Sequence, residues 1–168
     1  MNESLNICLP CGICCNGTMI GFVQLEAEEL PVMRKLMDIT ETNSEGFFLE
    51  PCKKLSDEGC TIYSQRPKHC DTFNCKLLKS IQQKEIDFIS AMEIINEVKQ
   101  RRLSIEKQLA SLDFELQYPS FHFKILELKK LMRKNKSESS IRQKHPQLIS
   151  EIEELDKLLF NSFGVSLF

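Results

Sequence analysis

Residues 8–15 read CLPCGICC, and this cysteine pattern, C-x2-C-x2-C-C, decides how the rest of the 168-residue chain is interpreted. The eight cysteines of the chain all fall before residue 76, and they are Cys8, Cys11, Cys14, Cys15, Cys52, Cys60, Cys70 and Cys75. The C-x2-C spacing allows two thiolates on one loop to reach the same ion, and thiolates are the ligands of zinc sites and iron–sulfur clusters. We therefore predict that the front of the chain is a metal site built from cysteines.

The composition is ordinary for a globular protein, with 42% hydrophobic and 27% charged residues. The net charge of −2 argues against a nucleic-acid partner, because binding a phosphate backbone requires a basic surface. No apolar run approaches the length of a membrane span, so we expect no membrane partner. The first twelve residues lack the basic and apolar regions of a signal peptide, which predicts a cytoplasmic location. Thiols stay reduced there, so metal ligation is favoured over a scaffold of disulfide bonds.

Local patterns in the front half predict few regular elements. The apolar residues 19–25 predict a strand, and residues 47–49 predict a second strand that pairs with it. Residues 26–37 predict a helix that begins with acidic side chains. Pro31 fits this helix poorly unless it lies in the first turn, where a missing N–H costs little. The polar residues 38–45 predict a loop.

The second cysteine group has its own local signals. Residues 57–59 (DEG) predict a tight turn that delivers Cys60. A short helix with Pro67 near its first position is expected to carry Cys70. Because Cys75 would lie well off the face that carries Cys70, this helix is expected to end or distort before Cys75.

The back half has the apolar periodicity of helices. Residues 81–112 predict one long helix or two helices broken midway, and residues 120–134 predict another. The polar, serine-rich residues 134–144 predict a flexible link, and Pro146 opens a last amphipathic helix. The expected inner face of that helix carries Ile149, Ile152, Leu155, Leu159 and Phe160.

Together these patterns predict a mainly α fold. We expect a cysteine-rich metal-cluster domain with at most a small two-stranded β element, followed by a helical bundle. Residues 1–80 are predicted to be the cysteine-cluster metal-binding region, and residues 81–168 a helical region that packs on it. The helical region is a candidate docking surface for a protein partner. The oligomeric state is not predicted.

The first three cysteines have the spacing of a ferredoxin. Cys8, Cys11 and Cys14 match the first three ligands of the bacterial run C-x2-C-x2-C-x3-C-P, but Thr18 stands where the fourth cysteine would be. The chain is therefore not a ferredoxin, and a fourth ligand has to come from Cys15 or from the later cysteines.

The adjacent pair Cys14–Cys15 leaves several arrangements open. Successive side chains of an extended backbone point in opposite directions, so two neighbours are poorly placed to bind one tetrahedral ion. Eight thiols are compatible with two four-thiolate zinc sites, with one polynuclear cluster that shares thiolates, or with one iron–sulfur cluster and a second site. Soft ligands favour zinc, copper(I) or iron–sulfur over magnesium and calcium. We expect zinc or an iron–sulfur cluster as the cofactor.

Four residues outside the cysteine set are assigned weaker roles. Arg66 is a candidate to neutralise thiolate charge, and Tyr63 is a candidate hydrogen-bond donor to a sulfur atom. His69 is interpreted as a surface histidine, because eight thiols already suffice. His122 is remote from the cysteines in sequence and is interpreted as structural or surface.

Three further segments carry a family resemblance. Residues 59–63 read GCTIY, Arg66-Pro67 precedes Cys70 by the spacing R-P-x2-C, and Phe73-x-Cys75 closes the pattern. With the eight cysteines, these segments resemble the YkgJ-type cysteine-cluster family, also called the CxxCxxCC or zinc- or iron-chelating domain. The pattern is also similar to the cysteine-rich part of flagellin lysine N-methylase. The resemblance covers about residues 8–75, and it implies metal binding by the eight cysteines without implying a defined activity.

Three functions are compatible with this sequence. The first is a metal-binding protein whose zinc or iron is structural or stored. The second is an iron–sulfur redox protein, and the third is a component of S-adenosylmethionine-dependent protein lysine methylation. The chain has neither a G-x-G-x-x-G nucleotide loop nor a C-x3-C-x2-C run, so whether it is an enzyme is left open.

Overall fold

A three-stranded antiparallel sheet lies in the N-terminal part of the structure, a computed structural model that describes residues 7–42, 45–134 and 138–167. Its strands are β1 (Phe22–Leu25), β2 (Thr40–Thr42) and β3 (Glu45–Leu49), in the order β1-β3-β2. The two predicted strands correspond to β1 and β3, and their predicted pairing is confirmed, because Phe22 lies opposite Leu49.

The prediction of at most a two-stranded element is wrong. Strand β2 lies in the expected loop, and a second, two-stranded sheet is formed by β4 (Leu55–Ser56) and β5 (Gly59–Cys60). All three residues of β2 are exposed, so no alternation of buried and exposed residues marked it in the sequence. The predicted turn between residues 57 and 59 is confirmed, since it joins β4 to β5.

Short helices connect and cover the sheet. They are α1 (Cys8–Cys11), α2 (Leu30–Leu36), α3 (Lys68–Thr72) and α4 (Lys76–Gln82). Helix α2 begins at Leu30, later than the predicted start at residue 26, and this places Pro31 in its first turn. Helix α3 ends before Cys75, as predicted. Helix α2 buries Leu30 and Met33 among the apolar side chains of the sheet, and together they form a small sheet core.

The helical periodicity from residue 81 belongs to two helices. Helix α4 ends at Gln82, and α5 (Phe88–Leu109) begins after a break. Lys84 has a φ of 61°, a left-handed conformation that a right-handed helix cannot accommodate. Asp87 then caps α5, since its carboxylate accepts a hydrogen bond of 2.8 Å from the Ser90 N–H.

Three helices complete the chain: α6 (Phe121–Lys134), α7 (Glu138–Lys144) and α8 (Pro146–Phe163). The predicted flexible link is wrong over residues 138–144, which form α7, and residues 135–137 lie outside the described residues. The inner face predicted for α8 is confirmed, except that Phe160 is 61% exposed. Phe163 takes the inner position at the end of this helix because it continues the stripe from Leu159.

The larger core joins the cysteine loop to the helices. Ile13 and Met19, which flank the end of the cysteine pattern, are buried together with Ile95 of α5 and Leu155 of α8. The fold is therefore mostly helical, with its small sheets near the N-terminus, as the mainly α prediction stated. The division at residue 80 stays a prediction, and this core runs across it. Within the described ranges, none of the helices has both the length and the apolar character needed to cross a membrane.

We expect Ile95→Ala to destabilise the protein by about 2–5 kcal/mol, because it leaves a cavity in the core. Ile95 is fully buried, whereas Ile89 on the same helix is 73% exposed. The matched control Ile89→Ala is expected to change the free energy of unfolding by no more than about 0.5 kcal/mol. Urea denaturation followed by circular dichroism, at equal metal content, measures both. Equal effects of the two substitutions would show that α5 is not packed as described.

Candidate metal centre

All eight cysteines line one cavity of about 690 Å³. Its walls include Phe48 from the sheet and Leu77 and Ile95 from the helices. The thiols are all free, and Cys8 is exposed whereas the other seven are partly buried. The fold thus brings together the two cysteine groups that the sequence separates.

A single helical turn presents the first cysteines. Cys8 and Cys11 are three residues apart on α1 and therefore lie on one face of the helix. Gly12 ends the turn with a φ of 63°, a left-handed conformation that suits glycine. Ile13, fully buried in the helical core, then anchors the loop between Cys11 and Cys14.

Backbone contacts attach the second cysteine group to this loop. The Cys52 N–H donates a hydrogen bond of 2.7 Å to the Cys15 carbonyl oxygen. Cys60 lies on the β4–β5 hairpin, which approaches α1 closely at Gly59. A Cβ at Gly59 would lie 2.6 Å from the Leu9 carbonyl oxygen, so only glycine permits this approach.

Backbone N–H groups donate hydrogen bonds to cysteine sulfur atoms. Cys75 is the N-cap of α4, and its Sγ accepts the Leu78 N–H at 3.4 Å. The Cys52 Sγ accepts the Lys54 N–H, also at 3.4 Å. The bond from Lys54 lowers the pKa of Cys52, against the larger effect of burial.

The cysteines pack against two different apolar cores. Cys11, Cys14 and Cys75 contact the helical core, whereas Cys52 and Cys70 contact the sheet core. The adjacent residues of the C-C pair also differ in their neighbours. The pKa of Cys14 is raised by the charges of Cys15 and of three further thiols, those of Cys8, Cys11 and Cys75. The pKa of Cys15 is raised by a different set of thiols, those of Cys52, Cys60 and Cys70.

We call the first set the helix-side group (Cys8, Cys11, Cys14 and Cys75) and the second the sheet-side group (Cys15, Cys52, Cys60 and Cys70). Burial, with smaller contributions from the nearby Cys8 and Cys75, raises the pKa of Cys11 to about 12. Burial likewise raises the pKa of Cys52 to about 11 and that of Cys70 to about 12. The thiols of Cys11, Cys52 and Cys70 are therefore protonated at neutral pH unless a cation displaces the protons.

Arg66 lies within electrostatic reach of both groups. It lowers the pKa of Cys8 and of Cys70, in each case against the larger effect of burial. Its guanidinium carbon stacks 3.8 Å from the centre of the Tyr63 ring, and it forms an ion pair with Asp71. Both Arg66 and Tyr63 line the cavity, and the roles predicted for them stay predictions.

Glu50 is a cavity residue that the sequence interpretation missed. Its side chain is 2% exposed, and burial raises its pKa to about 8. Its charge is the strongest electrostatic influence on Cys15 and Cys70 after burial. A signal was present in the sequence, because Gly46, Phe48 and Glu50 alternate along β3 and share its buried face.

His122 also lines the cavity, although it is remote from the cysteines in sequence. Its backbone N–H donates a hydrogen bond of 2.9 Å to the Gly17 carbonyl oxygen, which joins α6 to the cysteine loop. Burial lowers the pKa of its imidazole. Only the packing of α6 brings His122 here, so no local pattern could have indicated it. His69 lines the cavity but is exposed.

The chemistry of these donors fits zinc, copper(I) or iron–sulfur, since eight soft thiols face one cavity. In the described ranges, however, no three His, Cys, Asp or Glu side chains already converge on a common point. Each cysteine has one rotatable side-chain bond that carries Sγ around the cavity wall. Metal binding therefore requires the thiols to turn towards the ion.

A comparison with protein families found one match. The sequence profile of the CxxCxxCC family, described as "Putative zinc- or iron-chelating domain", matches residues 7–93. The match includes all eight cysteines and extends beyond the expected limit of about residue 75, through α4 into the start of α5. Neither the search of curated proteins nor the search of solved structures found a match.

Zinc binding to the metal-free protein is expected to release protons and to strengthen as the pH rises. The pKa values of Cys11 and Cys52 are raised to about 12 and about 11, so these thiols hold protons at neutral pH that a metal must displace. Lowering the pH favours the protonated thiols and weakens binding. Calorimetric titration in buffers of different ionisation enthalpy counts the protons. Binding without proton release would contradict thiolate ligation.

Proposed function

The chain belongs to the CxxCxxCC family, and we propose that its eight cysteines bind zinc or iron in two four-cysteine sites on one cavity. The observation that carries this proposal is that Cys11, Cys14 and Cys75 pack against the helical core, whereas Cys52 and Cys70 pack against the sheet core. Four thiolates complete a tetrahedral zinc site, and four cysteines also hold an iron–sulfur cluster.

The covalent neighbours Cys14 and Cys15 support two sites over one shared cluster. Cys14 packs against the helical core, whereas the thiols around Cys15 are those of the sheet-side group. Each group also contains one cysteine that is distant in sequence from the other three. In the helix-side group this residue is Cys75, and in the sheet-side group it is Cys15. Loading either site would therefore close a long loop of the chain.

A second candidate function, iron–sulfur redox chemistry, is favoured by the composition of the helix-side group. It contains the ferredoxin-like triplet Cys8, Cys11 and Cys14, with Cys75 in the place of the missing fourth ligand. A triplet and one distant cysteine are the ligands of a [4Fe–4S] cluster in two-cluster ferredoxins. An iron–sulfur cluster held there would supply one-electron chemistry.

The size of the cavity supports a role beyond that of a purely structural metal site. At about 690 Å³ it falls within the range of small-molecule sites, which is about 300–1,000 Å³. Its walls also carry Phe22 and Phe73, so an organic molecule would find apolar surface beside the thiols. This space is compatible with the alternative of S-adenosylmethionine-dependent protein lysine methylation.

We assign residues 1–80 to metal binding and residues 81–168 to the helical support of the site. One contact that supports this assignment runs from α5 to the cysteine loop, where the Lys99 ammonium donates a hydrogen bond of 2.8 Å to the Pro10 carbonyl oxygen. Lys99 also lowers the pKa of Cys11, against the larger effect of burial. A protein partner on the helical region and a cytoplasmic location stay predictions.

Metal content after single cysteine substitutions tests the two-site proposal. Cys14→Ser and Cys15→Ser are each expected to remove one of two metal centres, because the two thiols belong to different groups. Cys14→Ser combined with Cys75→Ser should lose no more than Cys14→Ser alone, whereas Cys14→Ser with Cys15→Ser should lose both centres. Native mass spectrometry of protein purified without oxygen counts the centres.

One shared cluster gives a different result, since Cys14→Ser alone would then disturb all of the bound metal. The identity of the metal follows from the same samples. Iron with inorganic sulfide and a visible absorption that bleaches on reduction would favour the redox function. Colourless protein that contains only zinc would favour the structural function.

A further inference from the structure

We propose that Glu50 is an oxygen ligand of the metal in the sheet-side group, which makes that site a mixed sulfur–oxygen centre. The proposal rests on the proposed function, because it requires a metal ion at the sheet-side cysteines. It adds a donor that the cysteine pattern does not contain.

The first argument is an unpartnered oxygen atom. Glu50 is 98% buried, since its relative exposure is 2%, and it lines the cavity. Its Oε2 atom has no hydrogen-bond partner among the described residues. Buried carboxylate oxygens are normally hydrogen-bonded, ion-paired or bound to a metal.

The second argument is the charge around the carboxyl group. Of the ion pairs formed by the described residues, none includes Glu50. Arg66, which lies within reach of the sheet-side group, forms its ion pair with Asp71. The charge of Glu50 raises the pKa of Cys15, Cys52 and Cys70. These three thiols become anions when they bind metal. A metal cation among these groups would stabilise the ionised carboxylate of Glu50.

The third argument is that the backbone fixes Glu50 at this position. Its N–H donates a hydrogen bond of 2.9 Å to the Gly21 carbonyl oxygen. On the other side, a Cβ added to Gly17 would lie 3.3 Å from the Glu50 Cβ, so the cysteine loop packs tightly against this residue. Glu50 is thus held between the start of β1 and the loop that carries Cys15.

The two groups then differ in the number of donors. The helix-side group has four thiols, whereas the sheet-side group has four thiols and one carboxylate. A tetrahedral ion takes four ligands, so at the sheet-side site one donor is free to exchange with another ligand. A carboxylate is also a harder donor than a thiolate, which favours zinc or iron over copper(I) at this site.

Cadmium-113 NMR of the full-length protein loaded with ¹¹³Cd²⁺ tests the ligand directly, because sulfur donors shift the resonance to higher frequency than oxygen donors do. We expect two resonances, with the sheet-side resonance at the lower frequency and identified as the one that Cys15→Ser changes. The isosteric variant Glu50→Gln should move the sheet-side resonance and leave the other unchanged. The matched control is Glu45→Gln, because Glu45 is an exposed glutamate at the start of β3, the strand that precedes Glu50; this variant should move neither resonance.

Affinity gives a second readout. A Co²⁺ titration of Glu50→Gln should show a weakening of at least about tenfold at the sheet-side site and none at the helix-side site. If Glu50→Gln fails to fold by circular dichroism, Glu50→Asp serves instead, because it keeps the charge but withdraws the oxygen atoms by one methylene. It should move the same resonance.

Unchanged resonances and affinities in folded Glu50→Gln would overturn the proposal and leave the two cysteine sites intact. Such a result would mean that Glu50 does not bind the metal. A carboxyl group that only donates a hydrogen bond can be replaced by an amide without loss. The absence of cadmium resonances in the unaltered protein would instead overturn the proposed function, and this proposal with it.

Discussion

The crowding of ionisable groups in one cavity is the constraint on which the site depends. Eight thiols and the Glu50 carboxyl line a space that burial makes unfavourable for negative charge, and burial is the main cause of the raised pKa of Glu50 and of Cys11. These groups are stable there either as neutral acids or as ligands of cations. When the groups are neutral acids, the loops around the cavity are held by packing and hydrogen bonds alone, whereas bound cations would also cross-link these loops.

Two apolar cores hold the walls of this cavity. The helical core fixes the cysteine loop through Ile13, and the sheet core supports Cys52 and Cys70. The hydrogen bond from the Cys52 N–H to the Cys15 carbonyl oxygen joins the two walls at the cysteine pattern. A change in either core would therefore alter the distances between thiols of the two groups.

Local patterns in the sequence predicted the elements that depend on neighbouring residues. The pairing of β1 with β3, the turn before Cys60 and the stripe of α8 follow from residue type and spacing within a few positions. The exposed strand β2 and the break at Lys84 were not predicted, because neither has an apolar pattern of its own. The cysteines as a set were evident from their spacing. Their separation into two groups, and the nearness of His122, depend on tertiary packing that spacing does not encode.

The covalent bond between Cys14 and Cys15 has a consequence for the order in which the groups fill. The two residues belong to different groups, so the groups share one peptide unit. If the two proposed sites fill, a metal held by Cys14 would restrict the backbone of Cys15, and the second metal would meet a ligand that has already lost much of its conformational freedom. Occupancy of one group would accordingly raise the affinity of the other by reducing the entropy lost on binding. The C-C dipeptide would then couple the two proposed sites thermodynamically.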